Sequence, residues 1–192
     1  SCMNVIDFQY SKFIIRREHL QKVKETSPSE FPKELEKFVF LVRKQDRILR
    51  LSFSILLNLA DNIKTEKKMV KKDMVGWLQK CIDRSNINLL VIVLLFIKKL
   101  SVYDVNKNQL IKGNILSQLS AMFSYTHQLI IQLSLEIIYN LSFDSTFVLQ
   151  IIEKVSTFQN IISSFKIQNL RGLVLKILFN ISKEQAAKPL LA

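Results

Sequence analysis

Histidine and cysteine are the first places to look for chemistry, and the sequence holds two of each. His19 sits in a charged stretch with Arg16, Arg17 and Glu18, and His127 follows Thr126 at an expected helix start, so both read as surface residues rather than catalytic bases. Cys2 and Cys81 lie far apart, and Cys81 falls in an apolar helical pattern where a thiol behaves as a small hydrophobe. Free thiols suit a reducing cytosol, and these residues are too widely spaced for a zinc site. There is no G-x-S-x-G, Walker A, G-x-G-x-x-G or H-E-x-x-H, and three glycines leave no phosphate-cradling loop. Acidic residues are scattered singly, so paired-carboxylate chemistry has no candidate. The chain reads as non-catalytic, with no cofactor and no metal. What remains is the chemistry of recognition: asparagine amides that can bond a backbone, and lysines that attract carboxylates.

The asparagines recur in a pattern. Ile55-Leu56-Leu57-Asn58-Leu59-Ala60, Phe96-Ile97-Lys98-Lys99-Leu100-Ser101, Ile137-Ile138-Tyr139-Asn140-Leu141-Ser142 and Ile177-Leu178-Phe179-Asn180-Ile181-Ser182 are variants of one string, and their fourth positions are 41, 41 and 40 residues apart. Each string closes a segment of helical length that is apolar almost all round, such as 128–142, which predicts a buried helix. Between these lie a short polar helix (106–112; 146–154) and an amphipathic one (114–123; 156–165), with 64–72 and 73–82 in the same places of the first interval. Composition agrees: 48% hydrophobic residues against 23% charged can bury a core, while 3 Gly and 3 Pro are too few for the turns of a many-stranded β fold. The longest apolar run, Leu89 to Ile97, is too short to cross a bilayer.

Three helices per repeat, the third buried and ending in Asn-Leu-Ala/Ser, resemble the armadillo repeat. The expected fold is therefore all-α, a right-handed ARM/HEAT-like superhelix. Gly113 is expected at the sharp turn between first and second helices, in a left-handed backbone conformation; Lys72 and Lys154 hold the corresponding places. A buried helix at 46–60 would precede repeats at 62–101, 104–142 and 146–183. Residues 1–45 would form two further helices, 3–25 and 34–45, joined by a Pro/Ser linker at 26–32 that reads as a flexible joint. The segment 184–192 reads as a tail, and the chain as part of a longer protein. Its opening residues read as neither signal nor transit peptide, so a soluble protein is expected.

Two readings of the asparagines stand side by side, because an unpaired amide near the end of an apolar helix is costly. Either each amide ties its repeat to the next, or Asn58, Lys99, Asn140 and Asn180 form a ladder along an inner groove that bonds an extended peptide. Ser54, Leu95, Glu136 and Lys176 lie one turn earlier on the same face. Armadillo importins place Trp at such positions; here the single Trp77 belongs to a second helix, and Lys99 suits an acidic or mixed ligand. Asn140-Leu141-Ser142 and Asn180-Ile181-Ser182 match the glycosylation sequon, but the repeat accounts for both. The net charge of +12 is concentrated in the middle of the chain, most densely at Lys64, Lys67, Lys68, Lys71 and Lys72. That cluster is either a solvated helix face or a basic docking face for an acidic partner. Specific nucleic-acid reading is not expected, since no recognition motif is present and Phe53, Phe96 and Phe179 fit the core pattern.

A closer resemblance lies in Leu41-Val42-Arg43-Lys44-Gln45-Asp46-Arg47-Ile48-Leu49-Arg50-Leu51-Ser52-Phe53, in Leu57-Asn58-Leu59-Ala60-Asp61, in Leu95-Phe96-Ile97-Lys98-Lys99-Leu100-Ser101-Val102, in Asn106-Lys107-Asn108 and in Asn140-Leu141-Ser142-Phe143-Asp144. Over about 33–182 the chain resembles the kinesin-associated protein family, the non-motor subunits of heterotrimeric kinesin-2. The resemblance implies an adaptor that joins the tails of two kinesin-2 motor chains to cargo proteins, especially in intraflagellar transport. It further implies a place in the cytoplasm, on the cytoskeleton and in the cilium, with no membrane insertion. A catenin-like cytosolic scaffold is the alternative.

Overall fold

With so few turn-formers, the chain runs from helix to helix. A computed structural model describes residues 2–60 and 63–191, together with their side chains except those of 63, 64, 66, 190 and 191. Among the described residues there is no strand. The first helices are α1 (Cys2–Thr26), α2 (Phe31–Leu59), α3 (Ile63–Lys71), α4 (Met74–Ile82) and α5 (Ile87–Leu100). They are followed by α6 (Asp104–Lys112), α7 (Ile115–Met122), α8 (Gln128–Leu141), α9 (Ser145–Glu153), α10 (Val155–Ser163) and α11 (Arg171–Ser182). Single 3-10 turns and a short α12 (Lys188–Leu191) complete the described chain. Two compact units are distinguished, one of residues 1–77 and 84–92, the other of 78–83 and 93–192.

In the first unit α1 and α2 form an antiparallel hairpin. Gln45 Nε2 donates to the Gln9 carbonyl at 3.1 Å, and the rings of Phe13 and Phe38 lie 5.9 Å apart. The expected joint at 26–32 is a tight turn, closed by Ser27 N to Val23 O and Glu30 N to Ser27 O, with Pro32 in the first turn of α2 where no intrahelical donor is lost. The helices expected at 34–45 and 46–60 are one, α2, because nothing between Lys33 and Leu59 breaks or caps a helix. Asp46 lies in the middle of that helix and is buried. Nor is α2 buried all round: Leu49, Phe53 and Leu56 face the core, while Leu51, Ile55 and Leu59 are at least half exposed.

The second unit shows the repeat plainly. α6, α7 and α8 form one repeat, and α9, α10 and α11 the next, within a residue or two of the expected helix bounds. α8 buries Ile130, Leu133, Leu135, Ile137, Ile138 and Leu141. In each unit a phenylalanine anchors the core: Phe53 in the first and Phe96 in the second are fully buried, each contributing about 2–3 kcal/mol by transfer. Phe179 corrects the core expectation. It is 64% exposed, because α11 buries only Val174, Ile177, Asn180 and Ile181 and leaves its other side open.

The left-handed residue at the turn between first and second helices is Asn114 (φ 57°), not Gly113, whose φ is −79°. Asp73 (φ 53°) occupies the same place one repeat earlier. Asn and Asp tolerate this region because their short polar side chains bond locally, and Asp73 Oδ1 does so by accepting from Gly76 N at 3.2 Å. At the third such turn Lys154 takes φ −96°, ψ 74°, with no left-handed residue. Gly113 serves a different purpose: a Cβ there would displace the Gln79 side-chain amide.

Candidate functional site

The asparagine amides of the second unit reach back to the preceding repeat. Asn140 Nδ2 donates to Ser101 Oγ at 2.9 Å and to the Lys98 carbonyl at 3.3 Å; Asn180 Nδ2 donates to Ser142 Oγ at 2.9 Å. Each serine in turn donates to a carbonyl of its own helix, Ser101 to Lys98 and Ser142 to Tyr139. A buried serine thus ends one third helix and holds the asparagine of the next, so no buried polar group of the pair is wasted. This is the inter-repeat tie expected as one of the two readings, made to the preceding repeat instead of the following one. Asn180 is also too buried for glycan attachment.

Other polar ties keep nearly the same spacing. Gln118 Nε2 donates to the Gln79 carbonyl, and Gln79 Nε2 to the Gly113 carbonyl. Lys154 Nζ reaches Ser117 Oγ, Thr157 Oγ1 reaches Ser120 Oγ, and Gln128 Nε2 reaches Asn169 Oδ1. The serine half of the asparagine tie was legible in the sequence: Ser101 and Ser142 precede Asn140 and Asn180 by 39 and 38 residues. Where the serine is replaced by Ala60, the asparagine 39 residues on is replaced by Lys99.

The remaining ladder residues divide between the units. In the first, Ser54 is half-buried and Asn58 exposed, both in the last turns of α2. In the second, Leu95 and Lys99 are half-buried, Lys176 is exposed, and Glu136 pairs with Lys98 Nζ at 2.8 Å while accepting from Gln132 Nε2 at 3.2 Å. Sequence reasoning missed the rings beside them. Tyr139 and Phe143 stack edge to face at 5.2 Å, Phe143 is 60% exposed, and Lys183 Nζ lies 4.7 Å from the centre of the Phe179 ring. Their signal was position, since Tyr139 and Phe179 both stand immediately before the repeat asparagine. α8 and α11 pack side by side, so Glu136 and Asn140 stand on one helix and Lys176 and Phe179 on its neighbour, with Phe143 in the turn just after α8. Exposed large aromatics of this kind mark contact surfaces.

Of the expected basic face, Lys67, Lys68, Lys71 and Lys72 are exposed, with no ion pair among the described residues; the side chain of Lys64 lies outside them. Elsewhere in the first unit Arg84, 5% exposed, lies with its guanidinium 3.8 Å from the centre of the Phe13 ring and 3.7 Å from Asp46 Oδ1. Burial pushes the Asp46 carboxyl above its ordinary value, and the Arg84 charge opposes that rise. His19 and His127 are exposed and Cys81 is buried. Among the described residues no group of His, Cys, Asp and Glu is arranged to hold a metal ion, and no helix is long and apolar enough to cross a membrane.

Comparison with solved structures finds computationally designed armadillo repeat proteins for modular peptide recognition. The match has a TM-score of 0.63 at 14% identity and covers 85% of this chain and 68% of that one. At that identity the likeness establishes the fold, which is all-α and armadillo. The sequence model of the kinesin-associated protein (KAP) family matches residues 1–192. With the armadillo fold and the whole length matched, the chain belongs to the kinesin-associated protein family.

Proposed function

We propose that the chain is a non-catalytic adaptor, an accessory subunit of kinesin-2 that binds the tails of its motor chains and links them to cargo in intraflagellar transport. Its place of action would be the cytoplasm, the cytoskeleton and the cilium. The observation that carries this reading is the neighbouring pair α8 and α11, with Phe179 and Lys176 exposed on α11 and Phe143 exposed in the turn just after α8. Exposed apolar rings on neighbouring helices that also carry Glu136 and Lys176 suit an amphipathic segment of a partner protein, and the solved neighbour is named for recognising peptides. Asn140 and Asn180 serve this surface by locking adjacent third helices together through Ser101 and Ser142. Lys99 and Leu95, with Ser54 and Asn58 in the first unit, extend the ladder of contacts, and Lys64, Lys67, Lys68, Lys71 and Lys72 offer a second, electrostatic arm.

The test is titration calorimetry of the chain against purified kinesin-2 tail segments at low and moderate salt. Phe143→Ser/Phe179→Ser and Lys67→Glu/Lys68→Glu pairs are compared with wild type. The phenylalanine pair is preferable to changes at Asn140 and Asn180, because exposed rings can be removed without breaking the ties between repeats. Loss of binding in that pair, by about tenfold or more with the helical circular dichroism intact, is the expected result. Loss in the lysine pair alone moves the tail to α3, and no binding at either salt removes the motor tail as the ligand of this chain.

A further inference from the structure

We propose that the cleft between the middle of α2 and the start of α5 is a docking site for an acidic segment of a partner protein. The cleft has a volume of about 300 Å³ and is lined by Arg43, Asp46, Arg47, Arg50, Asn86 and Asn88. It goes beyond the motor-tail surface, since it uses none of the residues of α8 and α11. Arg43, Arg47 and Arg50 follow one another at helical i, i+4, i+7 spacing, so one face of α2 presents all three guanidinium groups. All three are exposed, and none has an ion-pair partner among the described residues. The lone carboxylate in the cleft, that of Asp46, is 3% exposed and already lies beside the buried Arg84. Asn86 caps α5 through its Oδ1, which accepts from Leu89 N at 3.1 Å, so the cleft also receives the positive end of that helix.

Like charges one turn apart on a helix repel, so this arrangement costs stability until an anion enters. Arginine, not lysine, supplies the charge at all three positions, and its planar fork suits bidentate pairing with carboxylates. Asn88, exposed at the rim, adds an amide for a peptide backbone. The charge is gathered into one concavity of side-chain dimensions, which suits two or three carboxylates better than the regular phosphates of a duplex or the flat face of a bilayer.

The test is fluorescence anisotropy with a labelled peptide, Ser-Glu-Glu-Leu-Glu-Glu-Leu-Glu-Ser, and the same peptide with every Glu replaced by Gln, at low and physiological salt. The Glu peptide binds wild type saturably and the Gln peptide does not. Arg43→Gln/Arg47→Gln/Arg50→Gln weakens binding about tenfold or more, whereas Lys22→Gln/Lys24→Gln/Lys33→Gln, at exposed positions of the same unit and with the same change of net charge, changes it less than about twofold. Arg43→Lys/Arg47→Lys/Arg50→Lys keeps the charge and recovers part of the loss. Thermal melts check that every variant folds. Equal loss in the arginine and lysine triples overturns the proposal, as does binding of the Gln peptide. So does failure of the Glu peptide at low salt, whether or not vesicles of phosphatidylserine and phosphatidylcholine, or a DNA duplex, bind in its place. None of these outcomes depends on the kinesin-2 tails, whose binding is read separately.

Discussion

Asp144 and Asp46 are both carboxyls tied to helices, yet they respond to acid in opposite directions. Asp144 caps α9: its Oδ1 accepts from Phe147 N at 3.1 Å and from the Thr146 hydroxyl. The Thr146 hydrogen bond, opposed by some burial and joined by the backbone bonds and the Lys107 charge, holds this carboxyl below its ordinary 3.8. A folded-state pKa below the unfolded one means stability that is present above the unfolded value and lost as pH falls through the folded one. Asp144→Ala is expected to cost about 1 kcal/mol at neutral pH. In urea denaturations across the acid range, the gap between Ala and wild type should narrow as pH falls below 3.8; a gap independent of pH would show that the ionised carboxylate is not the cap. Asp144→Asn keeps the cap without the titration and should hold a constant stability relative to Ala. Asp46 has the reverse sign. Its raised pKa makes its contribution greatest at or below 3.8 and smaller as pH rises through the folded value, because deprotonation leaves a desolvated charge that Arg84 only partly offsets. The cap was legible in Asp144-Ser145-Thr146, but the burial of Asp46 was not, because its partner Arg84 lies far off in sequence and the pair reads as two ordinary surface charges.

At the scale of elements, the recurrence of Asn-Leu-Ser made the third helices and their spacing legible, since a buried helix has to repeat its apolar pattern wherever a neighbour repeats. What stayed hidden were features that depend on a neighbour already in place. A long α2 cannot be told from two shorter helices when no residue marks the boundary. The open side of α11 follows from packing that its apolar composition does not reveal, so Phe179 looks like any core phenylalanine. The glycines show the same division. Gly113 reads as a left-handed turn residue but is kept small by Gln79, which bonds the Leu110 and Gly113 carbonyls at 3.4 and 3.1 Å. Gly172, in the first turn of α11, has nothing within 4 Å of the place a Cβ would take. Gly113→Ala is therefore expected to destabilise by about 1–2 kcal/mol through the displaced Gln79 bonds. Gly172→Ala should stabilise by about 0.5–1 kcal/mol, because alanine has less backbone freedom to lose. Thermal melts of the two variants should move in opposite directions; a fall in both would mean that α11 needs its glycine for a contact other than the ones described.

For the molecule as a whole, the ties of the second unit set how far a local fault should travel. Ser101 with Asn140, Ser142 with Asn180, Ser117 with Lys154 and Ser120 with Thr157 are each 37 to 39 residues apart, so every one joins a repeat to its immediate neighbour. Stability built from such terms is close to one-dimensional: each repeat has its own free energy and shares an interface only with the next. Breaking the tie at the last third helix should then loosen that end and little else. Asn180→Ala removes a buried donor and leaves the Ser142 hydroxyl without it, at a cost of about 1–3 kcal/mol. Hydrogen exchange read helix by helix is expected to quicken in α11 and to stay at wild-type rates in α6 and α7. Asn140→Ala, in the middle of the series, should quicken exchange in α8 and in the described turns of α5 that follow Val93, because it breaks a contact with a partner on that side and unsettles its own repeat. If Asn180→Ala instead raised exchange evenly from α6 to α11, the unit would unfold as one cooperative block and the nearest-neighbour account would fail. Local loosening has a functional consequence: a tie broken at the α8–α11 pair would lower affinity for a segment bound across Phe143 and Phe179 by spoiling their alignment, even though Asn180 itself is buried.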